Sequence, residues 1–247
     1  MIINGIKINY RIIGEGKPFL ILHGWGSCSD KWQRVGDLLA QKGLKVIIPD
    51  LPGFGQSEKP KNAWDIDDYC DFVEEFTKAL GLDKFYLLGH SFGGALALKL
   101  ALKTPDKIEK LFLVYASFQR RKKLKKRFFW ALARIANIFS FLPFFSYLRK
   151  GFYRFFLKSD YPSTQGIMRQ SYLKIIKQDL SDILEKIPIP AIIIWGDKDN
   201  ITPLRQGQLL KEKIKNSQLE IISGVGHNLH LEAPEELAET IWFNLRG

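Results

Sequence analysis

Six short apolar runs constrain this chain more than any other feature. They are FLILHG (19–24), KVIIPD (45–50), KFYLLGH (84–90), KIEKLFLVYAS (107–117), AIIIWG (191–196) and QLEIIS (218–223). FLILHG is apolar without interruption through Leu22, as expected of a strand buried on both faces of a parallel sheet. Helical patterning fills most of the gaps. One helix is expected from a cap at Ser29 or Asp30 through about Gln41, with Gly43 as its stop. Others are expected over 65–80 (stopped by Gly81), over 92–103 (ended at Thr104-Pro105), over 205–215, and over 232–245 with Pro234 at an early-turn position. Residues 2–13 alternate around Asn4-Gly5, a hairpin signal. The fold class implied is α/β: a mostly parallel sheet with helices on both faces, opened by an antiparallel hairpin. Such sheets bind ligands at the C-terminal ends of their strands.

After residue 117 the strand–helix rhythm breaks, and only helical patterning is visible to about Lys186. Composition shifts in the same place. Residues 117–187 hold 16 of the 37 Lys/Arg, 4 of the 26 Asp/Glu and 10 of the 18 Phe, so this window carries +12 and the remainder −1 of the +11 net charge. That contrast marks an inserted unit: 1–117 and 188–247 form a near-neutral core, and 118–187 a helical lid. With 247 residues, 46% of them apolar, one large core is expected. Cys28 and Cys70 provide neither a disulfide framework nor metal-ligand spacing. No secretory signal precedes IINGIKINY, and a cytoplasmic location is the expectation. The apolar window 128–148 is long enough to span a bilayer, but Arg134, Asn137 and Pro143 interrupt it, which disfavours insertion.

GHSFGG (89–94) falls where a predicted strand meets a predicted helix. G-x-S-x-G at such a junction forms a turn so tight that glycines are needed on both sides, and it lifts the serine hydroxyl above the sheet. Ser91 is therefore the candidate nucleophile, and the Phe92 amide, at the helix start, a candidate oxyanion donor. A serine hydroxyl needs a general base that is itself oriented by a carboxylate. Of the four histidines, His90 lies inside the turn, pointing away from the serine, and His23 ends the first buried strand. His227 follows Gly224-Val225-Gly226, a loop able to carry an imidazole over the sheet, and is the candidate base; His230 fits a surface loop histidine better. The loop after AIIIWG offers Asp197 and Asp199 as the acid, and position along the chain does not separate them.

With HGWG (23–26), DLPGFGQS (50–57), GHSFGG, GDKDNITP (196–203) and GHNLHLEAP (226–234) in this order, the chain resembles the α/β-hydrolase superfamily. It is similar to the branch of small hydrolases that includes esterases, C–C bond hydrolases, haloperoxidase-like enzymes and epoxide hydrolases. The resemblance covers most of 1–116 and 188–247. It implies the acid at the fourth position of G-x-x-D-x-x-x-P, here Gly196, Asp199 and Pro203, and the base in G-H-x-x-x-x-E, here Gly226, His227 and Glu232. It also implies that the Trp25 amide is the second oxyanion donor, with His23 and the 50–57 loop structural. Relatives that act as dehalogenases or epoxide hydrolases carry an Asp nucleophile where this chain has Ser91, which disfavours those activities.

The resemblance further implies that 118–187 is a lid over the nucleophile, with Trp130, Phe139, Phe141, Phe144 and Phe145 facing the cleft or forming the lid's own small core. The expected substrate is an ester or thioester with an apolar acyl or alcohol part, cleaved without metal or organic cofactor. A C–C bond hydrolase with the same triad and a hydrolase-like binding protein with little turnover are the alternatives. The cationic run at 120–127, RRKKLKKR, stays open between a solvated lid face, contact with an anionic membrane surface, and docking of an acidic carrier protein. Nucleic acid is not expected, because no readout motif accompanies the charge.

Overall fold

A computed structural model describes residues 1–119, 165–199 and 202–246. The basic run 120–127, the apolar window 128–148 and the five lid aromatics named above lie outside the described residues. A seven-stranded sheet forms the centre, in the order β3 (Tyr10–Ile13), β5 (Leu44–Pro49), β4 (Lys17–Leu22), β6 (Phe85–His90), β7 (Ile108–Val114), β8 (Ala191–Gly196), β9 (Ser217–Ile222). Only β3 runs antiparallel; the other pairings are parallel. The central runs are buried as their composition demands, whereas β9, at the sheet edge, is partly exposed. Leu20, Ile21 and Leu22 of β4, Leu111 to Val114 of β7 and Ile193 to Trp195 of β8 are all fully buried.

The described helices are α1 (Gln33–Ala40), α2 (Ile66–Ala79), α3 (Phe92–Lys103), α4 (Gly166–Ile175), α5 (Leu204–Lys213), α6 (Leu229–Glu232) and α7 (Pro234–Arg246). α2 is entered through a complete capping box. The Asp65 side chain accepts from the Asp67 and Asp68 amides, and Asp68 accepts in turn from the Asp65 amide, an arrangement worth about 1 kcal/mol. Among the described residues no helix is long and apolar enough to cross a membrane.

Three expectations are corrected. The opening hairpin does not extend over 2–13: β1 (Ile2–Ile3) and β2 (Ile6–Lys7) pair in a small sheet of their own, and β3 leaves to pair with β5. Neither Ser29 nor Asp30 caps a helix by its side chain. The Ser29 amide donates to Asp50 Oδ1, Asp30 pairs with Arg11, and a 3-10 turn over Ser29–Trp32 precedes α1. β7 stops at Val114 rather than 117, because Tyr115 adopts a positive φ of 49° that breaks the extended backbone.

Within the expected insertion, α4 is docked on the body. The Trp64 amide donates to Ser171 Oγ at 2.9 Å, Lys174 Nζ to the Ala63 carbonyl at 2.6 Å, and the Ile66 amide to Gln178 Oε1 at 3.2 Å. The Leu180 amide donates to the Phe118 carbonyl at 2.7 Å, so the two ends of the insertion meet.

Candidate active site

The C-terminal ends of β4, β6, β7, β8 and β9 carry the side chains in question. Ser91 sits between β6 and α3 with φ 51° and ψ −110°, a strained conformation for a residue with a Cβ that costs on the order of 1–3 kcal/mol. The neighbouring glycines make the turn possible. A Cβ on Gly93 would lie 2.1 Å from the Leu22 carbonyl oxygen, and one on Gly89 would lie 2.3 Å from that of Gly93. The turn is also tied to its neighbours, since the Ser91 amide donates to Val114 O at 3.0 Å and the Ser117 amide to Ser91 O at 2.9 Å.

The HGWG segment lies against this turn. A Cβ on Gly24 would come within 3.3 Å of Ser91 Cβ, and the Trp25 and Phe92 rings meet edge to face at 5.3 Å. Phe92 is the first residue of α3, a position whose N–H has no intrahelical acceptor. His23 supports the segment from below. Its Nδ1–H donates to the Gly24 carbonyl at 2.8 Å, and its Nε2 accepts from the Leu51 amide at 3.0 Å. That pair of bonds requires neutral imidazole, and burial lowers the ring's pKa to about 4.

Asp199 and His227 meet from two different loops. His227 Nδ1 stands 2.6 Å from Asp199 Oδ2. Thr202 adds two donors to the same carboxylate: its amide to Oδ1 at 2.9 Å and its hydroxyl to Oδ2. Burial pushes the Asp199 carboxyl up, but the bonds from His227 and Thr202 outweigh it and hold the pKa below the ordinary value. The Thr202 hydroxyl oxygen also lies 3.1 Å from His227 Nδ1. The Trp195 indole N–H, from β8, donates to the Thr202 carbonyl at 2.8 Å and anchors the loop. An Nδ1–H directed at Asp199 leaves Nε2 of His227 free to accept a proton. Asp197 is different: it is exposed and accepts from the Gly224 amide at 2.7 Å. Glu232 likewise has a backbone task, accepting from the Gly226 amide at 2.7 Å.

His230 corrects an expectation. It is buried rather than on the surface, with its ring stacked on Trp32 at 4.4 Å and 1°. Stacking on an indole 198 positions away leaves no trace in the local sequence. Sequence reasoning also missed Thr202, Tyr115, Met168 and Tyr172. Tyr115 packs on His227 with ring centroids 5.1 Å apart. Tyr172 of α4 lies 5.4 Å from Trp25, which also meets Phe54 at 4.7 Å, and a Cβ on Gly53 would strike Met168. The Thr in GDKDNITP, three residues after the acid, was the one available signal. Among the described residues no cluster of His, Cys, Asp and Glu is arranged to hold a metal ion.

Comparisons with known proteins bear on the fold and the family. The sequence model of the alpha/beta hydrolase fold matches residues 17–234. Lipase 3 of Moraxella sp. is 30% identical over 253 residues, covering 90% of this chain and 75% of that one. The 2-hydroxymuconate semialdehyde hydrolase of Pseudomonas putida is 28% identical over 259 residues, covering 96% and 90%. Among solved structures, an esterase from Exiguobacterium antarcticum superposes with a TM-score of 0.76 at 26% identity, covering 99% of this chain and 97% of that one. With its parallel sheet, its strained serine turn and a family match over most of its length, the chain belongs to the α/β-hydrolase fold family.

Proposed function

We propose that the chain is a serine hydrolase that cleaves a carboxylic ester or thioester with an apolar acyl or alcohol part. The observation that carries this reading is the 2.6 Å contact of His227 Nδ1 with a buried Asp199 carboxylate, in a molecule whose Ser91 holds a strained turn above the same sheet edge. In the proposed cycle, Ser91 Oγ attacks the carbonyl carbon while its proton passes to His227 Nε2. Asp199 holds the ring and stabilises the imidazolium. The Trp25 and Phe92 amides receive the developing oxyanion, at about 3–4 kcal/mol for such a donor. His227 then protonates the departing alcohol or thiol, and water, activated by the same ring, releases the acid from the acyl-enzyme.

The apolar part of the substrate is supported by the aromatic wall of Trp25, Phe54, Phe92 and Tyr172 beside Ser91, and by similarity to proteins named as lipase and esterase. The test is Ser91→Ala on short p-nitrophenyl esters. Activity should fall by at least about 10⁴-fold with the protein still folded; retained activity would overturn the reading. The similarity to 2-hydroxymuconate semialdehyde hydrolase favours a second reading, C–C bond cleavage by the same residues. A panel pairing esters with vinylogous diketones separates the two by relative kcat/KM. Contact with an anionic surface through the 120–127 run is a further proposal; it predicts a rate enhancement on anionic liposomes that salt abolishes.

A further inference from the structure

His90 takes no part in the chemistry above, yet it is joined covalently to Ser91 and is buried. Its Nε2 lies 3.1 Å from the carbonyl oxygen of His227. A carbonyl only accepts, so Nε2 carries the proton and donates. The ring is wedged among four others: His230 at 4.9 Å, His227 at 5.2 Å, Trp32 at 5.6 Å and Tyr115 at 6.0 Å. His230 is in turn stacked flat on Trp32. A ring packed on these sides cannot swing, so its hydrogen bond has a fixed direction.

The base loop is glycine-rich, and Gly224 has a φ of 83°. Three ties hold it. Glu232 accepts from the Gly226 amide, which fixes the loop to its own following helix. The Lys198 amide donates to Val225 O at 3.1 Å, which fixes it to the acid loop. The third is the His90 bond, and it runs to the turn that carries Ser91.

We infer that His90 is a positioning residue, whose N–H to the His227 carbonyl sets the base loop against the nucleophile and so the distance over which the proton moves. The inference rests on Ser91 and His227 being nucleophile and base. Burial first, and the neighbouring His230 and His227 next, hold the His90 pKa well below its ordinary value. A neutral clamp does not repel His227 when that ring takes the Ser91 proton.

The test compares His90→Gln with His90→Met, two side chains of the same shape that differ in whether they carry a donor at the required reach. His90→Met should lower kcat on a short p-nitrophenyl ester about 30-fold, with KM changed less than about threefold, because small misplacements of reacting groups act on the chemical step. His90→Gln should recover about tenfold of that loss at a similar melting temperature, and fluorophosphonate labelling rates should follow the same order. His90→Phe, which keeps a flat ring without the donor, should behave like Met and serves where Met does not fold. Equal kcat for Gln and Met, or a loss confined to KM, would overturn the inference. Ser91→Ala is run alongside: if it stays active, the proposed function has failed, whereas an inactive Ser91→Ala with equal Gln and Met variants sinks the positioning role alone.

Discussion

Two buried carboxylates stand after strands on opposite sides of the sheet's centre, with three strands between them, and they are bound in different ways. Asp50, after β5, is buried, and its oxygens are filled by backbone and amide donors: Ser29 N at 2.6 Å, Asn9 Nδ2 at 2.8 Å and Gln56 N at 2.9 Å. Asp199, after β8, is also buried and held by the Thr202 amide and hydroxyl, but it turns one oxygen to an imidazole. In both, burial raises the pKa and hydrogen bonds more than reverse it. The difference lies in what is bound. Asp50 spends its charge on three segments of backbone and side chain that shape the loop under Trp25 and Phe54. Asp199 directs one oxygen at the His227 ring, the group that takes up the proton in the proposed cycle. On the proposed function one buried anion is structural and the other serves the chemistry, and burial or pKa direction alone would not tell them apart.

The comparison breaks most visibly under Asp→Asn substitution. Asp199→Asn should cost about 10⁴-fold in kcat, since an amide no longer selects the Nδ1–H tautomer of His227, while urea unfolding shifts little. Asp50→Asn should do the reverse: kcat per folded molecule within a few-fold of wild type, and about 3 kcal/mol of stability lost, because an NH2 would face donors. Paired kcat and unfolding measurements on both variants check this, and similar profiles would dissolve the distinction. A smaller effect follows from Thr202→Val. It removes the hydroxyl donor but leaves the amide, so kcat/KM should drop about tenfold, as for one hydrogen bond to a charged group; Thr202→Ser should restore it.

The pH dependence of stability sharpens the same point. His23 and His230 have folded pKa values of about 4 against an ordinary 6.5. As pH falls from 6.5 toward 4, the unfolded chain binds protons that the folded one refuses, so stability falls across that window, by about 2 kcal/mol per histidine at pH 5. The two aspartates act lower. Their folded pKa values are depressed, so their stabilisation is present above the ordinary carboxylate value and is lost as pH falls through the folded one. His230→Phe, which can keep the stack on Trp32, should reduce the drop in melting temperature between pH 7 and 5 by roughly 4–8 °C. An unchanged drop would count against a buried neutral His230.

Much of this arrangement was legible in the sequence, for physical reasons. α3 and β8 appear over the residues expected because both are apolar, buried elements with clear local stops. The strained turn at Ser91 was readable because such a turn at close quarters needs glycine at fixed spacing. Asp197 and Asp199 were separable only by resemblance, since burial of one and exposure of the other depends on packing against β8 and the base loop. The Ser29 cap failed because Ser29 opens a 3-10 turn instead of preceding a helix, with its amide held by Asp50, 21 residues on. Tyr172 and His230 escaped for the same reason: their partners, Trp25 and Trp32, lie more than a hundred residues away, and no local pattern encodes such a contact.

The central claim is that Ser91, His227 and Asp199 act as one unit while Asp50 stands outside it. Peptide mapping after fluorophosphonate treatment tests this most directly. A single adduct on the Ser91 peptide is expected, formed at near wild-type rate in folded Asp50→Asn, strongly slowed in Asp199→Asn and absent in Ser91→Ala. An adduct elsewhere, or equal slowing by the two aspartate substitutions, would contradict it.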